Sequence, residues 1–205
     1  MLDIKGKFLE KGETLVCLGD SITFAQEGYV DCLKQNLPDN TIINAGLNGD
    51  KTATALTRFK TDVLAHKPDA LSIFFGANDA VIGRREWGDE PMLSPEAYRS
   101  NIVWMIHIAR LNGVKKFSVT VPFPEYEGET AFSKYGTILQ TYGLAARQAA
   151  DEMHTFIVSL DSLFRNEWRK NPTHDGFLLT VDGTHPTVAA HKLIADKFLK
   201  DWNMK

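Results

Sequence analysis

The sequence has little of what marks a secreted, membrane or nucleic-acid-binding protein. Its 205 residues include two cysteines, and they contain no run of about 18 apolar residues that could span a membrane. The segment Met1–Glu13 has neither an apolar core nor a small-residue cleavage site, so no secretory signal is expected. A net charge of -3 gives no reason to expect nucleic acid or an anionic membrane as a partner. We therefore expect a cytoplasmic protein that binds a small molecule.

Nothing in the sequence divides the chain. It has no internal repeat, no low-complexity tract and no linker rich in proline, glycine or serine, and its length suits one domain with its own core. We expect a single domain over residues 1–205. Cys17 falls in an apolar run and Cys32 in a helix-like segment, which favours reduced core cysteines over a disulfide.

Short apolar runs alternate with amphipathic segments along the chain. The runs are rich in β-branched and aromatic residues and mostly apolar on both faces, as in strands of a buried parallel sheet. They predict strands at Thr14–Leu18, Thr41–Asn44, Ala70–Phe75, Lys116–Val121 and Thr155–Leu160. Helices are predicted at Thr52–Ala65, from Ser94-Pro95 to Asn112-Gly113, at Ser133–Glu152 and at Thr187–Lys200. The alternation predicts an α/β three-layer sandwich with a five-stranded parallel sheet, whose ligands bind at the carboxyl ends of the strands.

Glycine and small polar residues follow the first three predicted strands. They are Gly19-Asp20-Ser21 after the first, Ala45–Asp50 after the second and Gly76–Asp79 after the third. Glycine allows a tight turn and a close approach of the backbone to a ligand. A serine at the start of a helix on this edge is placed for nucleophilic attack, and its own N–H can face an anion.

A serine needs a base, and His185 is the best candidate among the histidines. It lies in Asp182-Gly183-Thr184-His185-Pro186, in a predicted loop just before the last helix. A separation of three residues can bring the Asp182 carboxylate onto the imidazole, where it would fix the tautomer and stabilise the imidazolium. Taken alone, Ser21 is better explained as a helix cap, where serine is favoured, so the prediction depends on all these segments together.

Taken in order, these segments resemble the SGNH (GDSL-type) hydrolase superfamily over essentially the whole chain. Its blocks match Gly19-Asp20-Ser21, a glycine placed at Gly49, Gly76–Asp79 and Asp182–Pro186. The resemblance implies a serine esterase or acylhydrolase with Ser21 as nucleophile, His185 as general base and then acid, and Asp182 as its partner. It also implies the flavodoxin-like topology of these hydrolases for the sheet. It implies no metal and no organic cofactor.

By the same resemblance, an oxyanion hole is formed by the N–H groups of Ser21 and Gly49 and by the side-chain amide of Asn78. Gly46 is an alternative for the second block. Asp20 and Asp50 are expected to brace this edge through hydrogen bonds to backbone amides.

The substrate is a weaker inference. Trp87, Phe123 and Tyr126, with Asp20, are candidate substrate-binding residues; Arg84, Arg85, Glu125 and Glu127 frame the aromatic ones. Such a surface suits a sugar, but ordinary half-packed loop residues explain it equally well. No long apolar insert resembles a lid, which favours a small soluble carboxylic ester with a short acyl chain, an O-acetyl sugar among the candidates.

Two alternative assignments are less well supported by the sequence. A non-catalytic flavodoxin-like module could bind a small molecule or nucleotide, and Gly46–Thr52 ends in Lys-Thr as a phosphate loop does. That segment lacks the G-x-x-x-x-G-K-[ST] spacing, however. An α/β-hydrolase would need a G-x-S-x-G elbow, which the sequence lacks. The sequence does not address the oligomeric state.

Overall fold

Five parallel strands form the sheet, in the order β2-β1-β3-β4-β5. The computed structural model describes residues 6–81, 92–130 and 133–205. The strands are β1 (Thr14–Gly19), β2 (Thr41–Gly46), β3 (Ala70–Phe74), β4 (Lys116–Val121) and β5 (Phe156–Ser159). Every neighbouring pair is parallel, and the order is that of flavodoxin. The predicted fold is confirmed.

The strands are apolar on both faces because helices cover both faces. All five residues of β3 are buried, as are the last five of β1. A strand that is buried on both faces exposes neither face to solvent, so its sequence is a nearly continuous apolar run. Both cysteines are free, Cys17 in the core and Cys32 half-buried.

Seven α-helices connect or follow the strands in the described part of the chain. They are α1 (Ser21–Phe24), α2 (Tyr29–Asn36), α3 (Thr52–Asp62), α4 (Pro95–Leu111), α5 (Leu139–Met153), α6 (Leu160–Lys170) and α7 (Val188–Asp201). The predicted cap at Ser94 is confirmed, because its hydroxyl accepts from the Ala97 N–H at 3.1 Å. The structure adds a second cap, at Thr187, whose hydroxyl accepts from the Ala190 N–H at 3.1 Å.

Two helices are shorter than predicted, each for a backbone reason. Helix α3 ends at Asp62, and a 3₁₀ turn over Leu64–His66 leads to Lys67 in the left-handed region. Lys67 precedes Pro68, and the residue before a proline avoids the helical region. Helix α5 begins at Leu139 rather than Ser133 because Gly136 adopts a φ of +53°, which interrupts a right-handed helix.

The order of the strands creates a crevice at one edge of the sheet. From β1 the chain crosses to β2 on one side, and it then returns to β3 on the other side of β1. Helix α2 packs with α7 on one face, whereas α3, α4 and α5 pack together on the opposite face. The segments after β1 and β3 therefore diverge, and ligands bind at such a switch point. Gly19, at the end of β1, is in register with Gly46 and Phe74.

Candidate active site

Ser21 is the first residue of a short helix that begins directly at the crevice. The side chain of Asp20 caps this helix by accepting from the Ile22 N–H at 3.0 Å. Gly19 is required just before it, since a Cβ there would lie 2.1 Å from the Thr23 hydroxyl. Asp20 alone therefore separates β1 from α1, and Ser21 lies at the edge of the sheet.

Ser21, His185 and Asp182 form one continuous hydrogen-bonded chain. The Ser21 Oγ lies 2.9 Å from His185 Nε2, and His185 Nδ1 lies 2.7 Å from Asp182 Oδ2. A carboxylate can only accept, so Nδ1 carries the proton and Nε2 is free to accept from the serine hydroxyl. The arrangement can therefore transfer the hydroxyl proton to the imidazole.

The Asp182 carboxylate is held in the ionised form. Burial acts to raise its pKa, but hydrogen bonds from the backbone and side chain of His185 and from the Thr184 N–H bring the pKa below its usual range. Its Oδ1 accepts from the N–H groups of His185 and Thr184 at 2.8 and 3.0 Å. The same carboxylate thus shapes the backbone and orients the ring.

Asp182 and His185 lie in a narrow loop, Thr180–Pro186, which we call the Asp-His loop. An antiparallel bridge joins Thr180 to Pro186, and the Val181 N–H donates to the His185 carbonyl at 2.8 Å. Gly183 adopts a φ of +90° at the turn, a conformation that suits glycine. This closed turn therefore brings Asp182 and His185, which are three residues apart, close enough for their hydrogen bond.

Two backbone N–H groups near this chain have no acceptor within the described residues, those of Ser21 and Gly49. Gly49 has a φ of +72° in a turn closed by a 3.2 Å hydrogen bond from the Asp50 N–H to the Leu47 carbonyl. Leu47 in turn donates to the Gly19 carbonyl at 3.1 Å. The turn is thus tied to the end of β1.

The alternative glycine, Gly46, does not offer a donor. Its N–H donates to the Asn44 side chain at 2.9 Å. A Cβ at Gly46 would lie 2.2 Å from the Phe24 nitrogen, so this glycine allows α1 to pack on β2. The geometry favours Gly49 for the second block.

Asn78 lies after β3, and its side-chain amide donates to Asp20 Oδ2 at 3.2 Å. The amide has a second N–H, and Asn78 is partly exposed. Asp20 is 1% exposed, so the prediction that it binds substrate is wrong: both of its oxygens face the protein. Its predicted bracing role agrees with the contacts, as does that of Asp50, which accepts from the Lys51 N–H at 3.0 Å.

Three buried aspartates, Asp20, Asp50 and Asp79, lie in the segments that follow β1, β2 and β3. Burial raises the pKa of Asp20 to about 7, with further contributions from the charges of Asp79 and Asp50. Burial also raises the pKa of Asp79 to about 6. Asp50, by contrast, forms a salt bridge with Arg58. Burial at this edge of the sheet therefore favours the protonated forms of Asp20 and Asp79, whereas Arg58 compensates the charge of Asp50.

Asp20→Asn should make the stability of the protein less dependent on pH. An unfolded aspartate releases its proton near pH 3.9, whereas folded Asp20 retains its proton up to about pH 7. The folded state therefore binds more protons in this interval, and the contribution of Asp20 to stability, complete below pH 3.9, is lost as the pH rises through 7. Asparagine keeps a capping oxygen but cannot ionise.

Thermal unfolding at pH 5 and pH 8 measures this effect. The Tm of the variant, relative to that of the wild type, should increase from pH 5 to pH 8. Asp39→Asn is a matched control, because Asp39 is exposed beside Lys11. A Tm difference for Asp20→Asn that is the same at both pH values would show that Asp20 does not titrate in this interval.

Two predicted substrate-binding aromatic residues belong to the core. Phe123 is 1% exposed, and its ring stacks on that of Phe164 at 5.1 Å between centroids. Tyr126 is buried, and its hydroxyl donates to the Ala77 carbonyl at 2.7 Å. Both predictions are wrong, because the segment after β4 turns inward beneath α6. The third, Trp87, lies outside the described residues, as do Arg84 and Arg85.

Sequence reasoning missed a set of exposed apolar side chains on the segments that carry the site. Each is about half exposed. They are Phe24, Leu47, Val181 and Val188. The residue types gave no signal, because the same types fill the core. It also treated Glu127 as a surface charge, whereas the structure buries it.

The fold and the Ser-His-Asp chain define a serine hydrolase of the flavodoxin-like class. The chain belongs to the GDSL-like Lipase/Acylhydrolase family, whose sequence profile matches residues 17–193. It is a carboxylic ester hydrolase of this SGNH family. The resemblance inferred from the sequence is confirmed.

Three relatives match the chain, and two of them are named as esterases. An acetylxylan esterase of Geobacillus stearothermophilus is 29% identical over 93% of this chain and 94% of its own. Esterase TesA of Pseudomonas aeruginosa is 25% identical over 87% and 82% of the two chains. An uncharacterized lipoprotein, YqeF of Bacillus subtilis, is 36% identical over 57% of this chain and 52% of its own.

The fold also matches a solved structure. The crystal structure of an acetylxylan esterase from Geobacillus stearothermophilus superposes with a TM-score of 0.82, at 24% identity, over 95% of this chain and 96% of the other. Within the described ranges, no helix combines the length and apolar character that crossing a membrane requires.

Proposed function

We propose that the protein is a serine esterase that cleaves a small carboxylic ester with a short acyl chain through an acyl-enzyme on Ser21. The observation that carries the proposal is the unbroken chain from Ser21 Oγ through His185 to Asp182, with distances of 2.9 and 2.7 Å. Ser21 and His185 are 164 residues apart in the sequence, and these hydrogen bonds support the roles that we propose for the three side chains.

The mechanism follows from the hydrogen-bond directions. Ser21 Oγ attacks the ester carbonyl while His185 Nε2 takes its proton, and Asp182 stabilises the imidazolium that forms. The tetrahedral intermediate collapses, the bond to the leaving alcohol breaks, and His185 returns the proton to that alcohol. Water then repeats both steps on the acyl-enzyme: His185 takes a proton from water and returns it to Ser21, and the carboxylic acid is released.

Charge that develops on the carbonyl oxygen needs fixed donors. The N–H groups of Ser21 and Gly49 are suited to this role because no acceptor in the described chain engages them. The third donor is the second amide N–H of Asn78. Asp20 occupies the other N–H and so orients the amide.

Asn78→Ala should lower kcat by roughly 10²–10³-fold, the effect of removing one oxyanion donor, with little change in KM. Steady-state kinetics on a nitrophenyl ester measure both. Asn112→Ala is the control, because the Asn112 amide donates to the Ile108 carbonyl at the end of α4, away from the crevice. An unchanged kcat for Asn78→Ala would remove this amide from the oxyanion hole.

An O-acetylated sugar is the substrate we favour among short-chain esters. Relatives named acetylxylan esterase align over more than nine-tenths of the chain. The exposed Phe24, Leu47, Val181 and Val188 offer apolar surface of the kind on which sugar rings and short acyl chains pack. A cytoplasmic location, expected from the sequence, is part of the same proposal.

Labelling with a fluorophosphonate probe, followed by peptide mapping, tests the chemistry. Ser21 should carry the label, and the wild type should hydrolyse short nitrophenyl esters. No label and no hydrolysis would favour the non-catalytic binding module. Turnover compared across acyl chains of increasing length, with acetylated xylo-oligosaccharides included, tests the substrate: preference for a long acyl chain would contradict the favoured class.

A further inference from the structure

Glu127 is a buried carboxylate that accepts hydrogen bonds from Leu179 and Thr180, at the start of the Asp-His loop, and from Trp168 on α6. Its Oε2 accepts from the Leu179 and Thr180 N–H groups at 2.9 and 2.8 Å and from the Thr180 hydroxyl at 2.8 Å. Its Oε1 accepts from the Trp168 indole at 2.8 Å and from the Leu179 N–H at 3.1 Å. Both oxygens are therefore occupied by donors.

The charge of Glu127 is stabilised without a cation among the described residues. Burial acts to raise its pKa, but the hydrogen bonds from Trp168, Thr180 and Leu179 hold the pKa below its usual range. A buried carboxylate that depends on N–H and O–H donors requires those donors to stay in place. Glu127 and the start of the loop therefore fix each other.

A second set of contacts joins Glu127 to the centre of the loop. The Thr180 hydroxyl, which donates to Glu127, accepts from the Gly183 N–H at 3.1 Å. The Gly183 carbonyl accepts from the Glu127 N–H at 2.9 Å. Glu127, Thr180 and Gly183 thus form a closed ring of hydrogen bonds, and Gly183 directly follows Asp182.

The Asp-His loop has little apolar packing of its own. The side chains of His185 and Asp182 are 42% and 49% exposed, and Val181 is exposed as well. Thr184 and Pro186 are buried, but hydrophobic burial contributes little at Val181, Asp182 and His185, so the polar ring helps to hold this part of the loop. A Cβ at Gly183 would lie 2.5 Å from the Glu127 carbonyl oxygen, which shows how closely the two segments approach.

We propose that Glu127 is a positioning residue for catalysis: through Thr180 and Gly183 it holds the Asp-His loop so that Asp182 and His185 meet Ser21. The inference rests on the proposed function, since positioning has meaning only if the triad reacts. Glu127 touches none of the reacting atoms.

Glu127→Gln is the direct test. Glutamine has the size of glutamate, but it replaces one acceptor by an NH₂ group that faces N–H donors. The loop should shift, and a displacement of about 1 Å should lower kcat by up to roughly 100-fold with KM changed little. The rate of labelling of Ser21 by a fluorophosphonate should fall in parallel.

Thr180→Val and Thr180→Ser keep the test decisive if Glu127→Gln does not fold. Valine matches threonine in shape but lacks the hydroxyl that links Glu127 to Gly183, whereas serine keeps it. We expect kcat to fall by about tenfold or more in the valine variant and to stay close to that of the wild type in the serine variant.

Ser118→Ala is the control for stability alone. It removes a buried hydroxyl that accepts from the Trp202 indole at 2.8 Å, away from the loop, and should lower Tm without changing kcat. The assays are run well below the Tm of every variant.

Wild-type kcat in both Glu127→Gln and Thr180→Val, or in Thr180→Val alone if Glu127→Gln does not fold, would overturn the inference. An equal loss of kcat in Thr180→Val and Thr180→Ser would also overturn it. A wild type that neither turns over ester nor labels at Ser21 would instead overturn the proposed function.

Discussion

Ser21→Ala should lower the turnover of a short nitrophenyl ester by roughly 10⁵–10⁶-fold, the loss found when the nucleophile of a serine hydrolase is removed. The reason is chemical, because alanine cannot form the acyl-enzyme. The fold should not change, since the Ser21 hydroxyl hydrogen-bonds to no described residue other than His185 and the cap of α1 comes from Asp20. Any residual turnover would come from the oxyanion donors and binding alone.

The measurement is kcat with protein that carries no contaminating esterase, together with circular dichroism to confirm folding. Ser162→Ala is the matched control, because the Ser162 hydroxyl, on α6, donates to the Ser159 carbonyl at the end of β5 and takes no part in the crevice. It should retain wild-type kcat. Turnover by Ser21→Ala close to the wild-type value would refute the assignment of the nucleophile.

Asp182→Asn should lower kcat by roughly 10⁴-fold, as in other Ser-His-Asp enzymes. Asparagine keeps an oxygen for the His185 and Thr184 N–H groups, so the loop should keep its shape. The NH₂ group then faces Nδ1 and donates to it. The ring must adopt the other tautomer, in which Nε2 carries a proton and cannot take one from Ser21.

Kinetics and fluorophosphonate labelling of Ser21 both measure this effect, and both rates should fall. The exposed Asp39→Asn, which makes the same chemical change beside Lys11, should leave kcat at the wild-type value. A variant that retained more than about a tenth of the wild-type kcat would lose far less activity than the known triads do. Asp182 would then not be the partner that sets the tautomer of His185.

The sequence predicted the sheet well because its strands are buried on both faces. The ends of all five predicted runs lie within two residues of the ends of the observed strands. The cap at Ser94 was predictable because capping is a local hydrogen bond. The ends of α3 and α5 were not, because Lys67 and Gly136 adopt left-handed conformations that the apolar periodicity does not report.

The site was predictable where it depends on local geometry. Asp182 and His185 are three residues apart, and their hydrogen bond closes within one turn. The pairing of Ser21 with His185 was predictable from the topology, because the segments after parallel strands meet at one edge of the sheet. Glu127 could not be found in this way, since its partners come from α6 and from the start of the Asp-His loop.

The sequence by itself determined the class of fold, the family and the identity of the three residues in the hydrogen-bonded chain. These follow from residue types at fixed spacings and from the order of the strands. Only the tertiary structure decided that Asp20, Phe123 and Tyr126 are buried, that the N–H of Gly49 rather than Gly46 is free within the described chain, and that a buried carboxylate anchors the Asp-His loop. The physical reason is that exposure and hydrogen-bond partners depend on which distant segments cover a residue, and a residue's type and neighbours in sequence do not encode this.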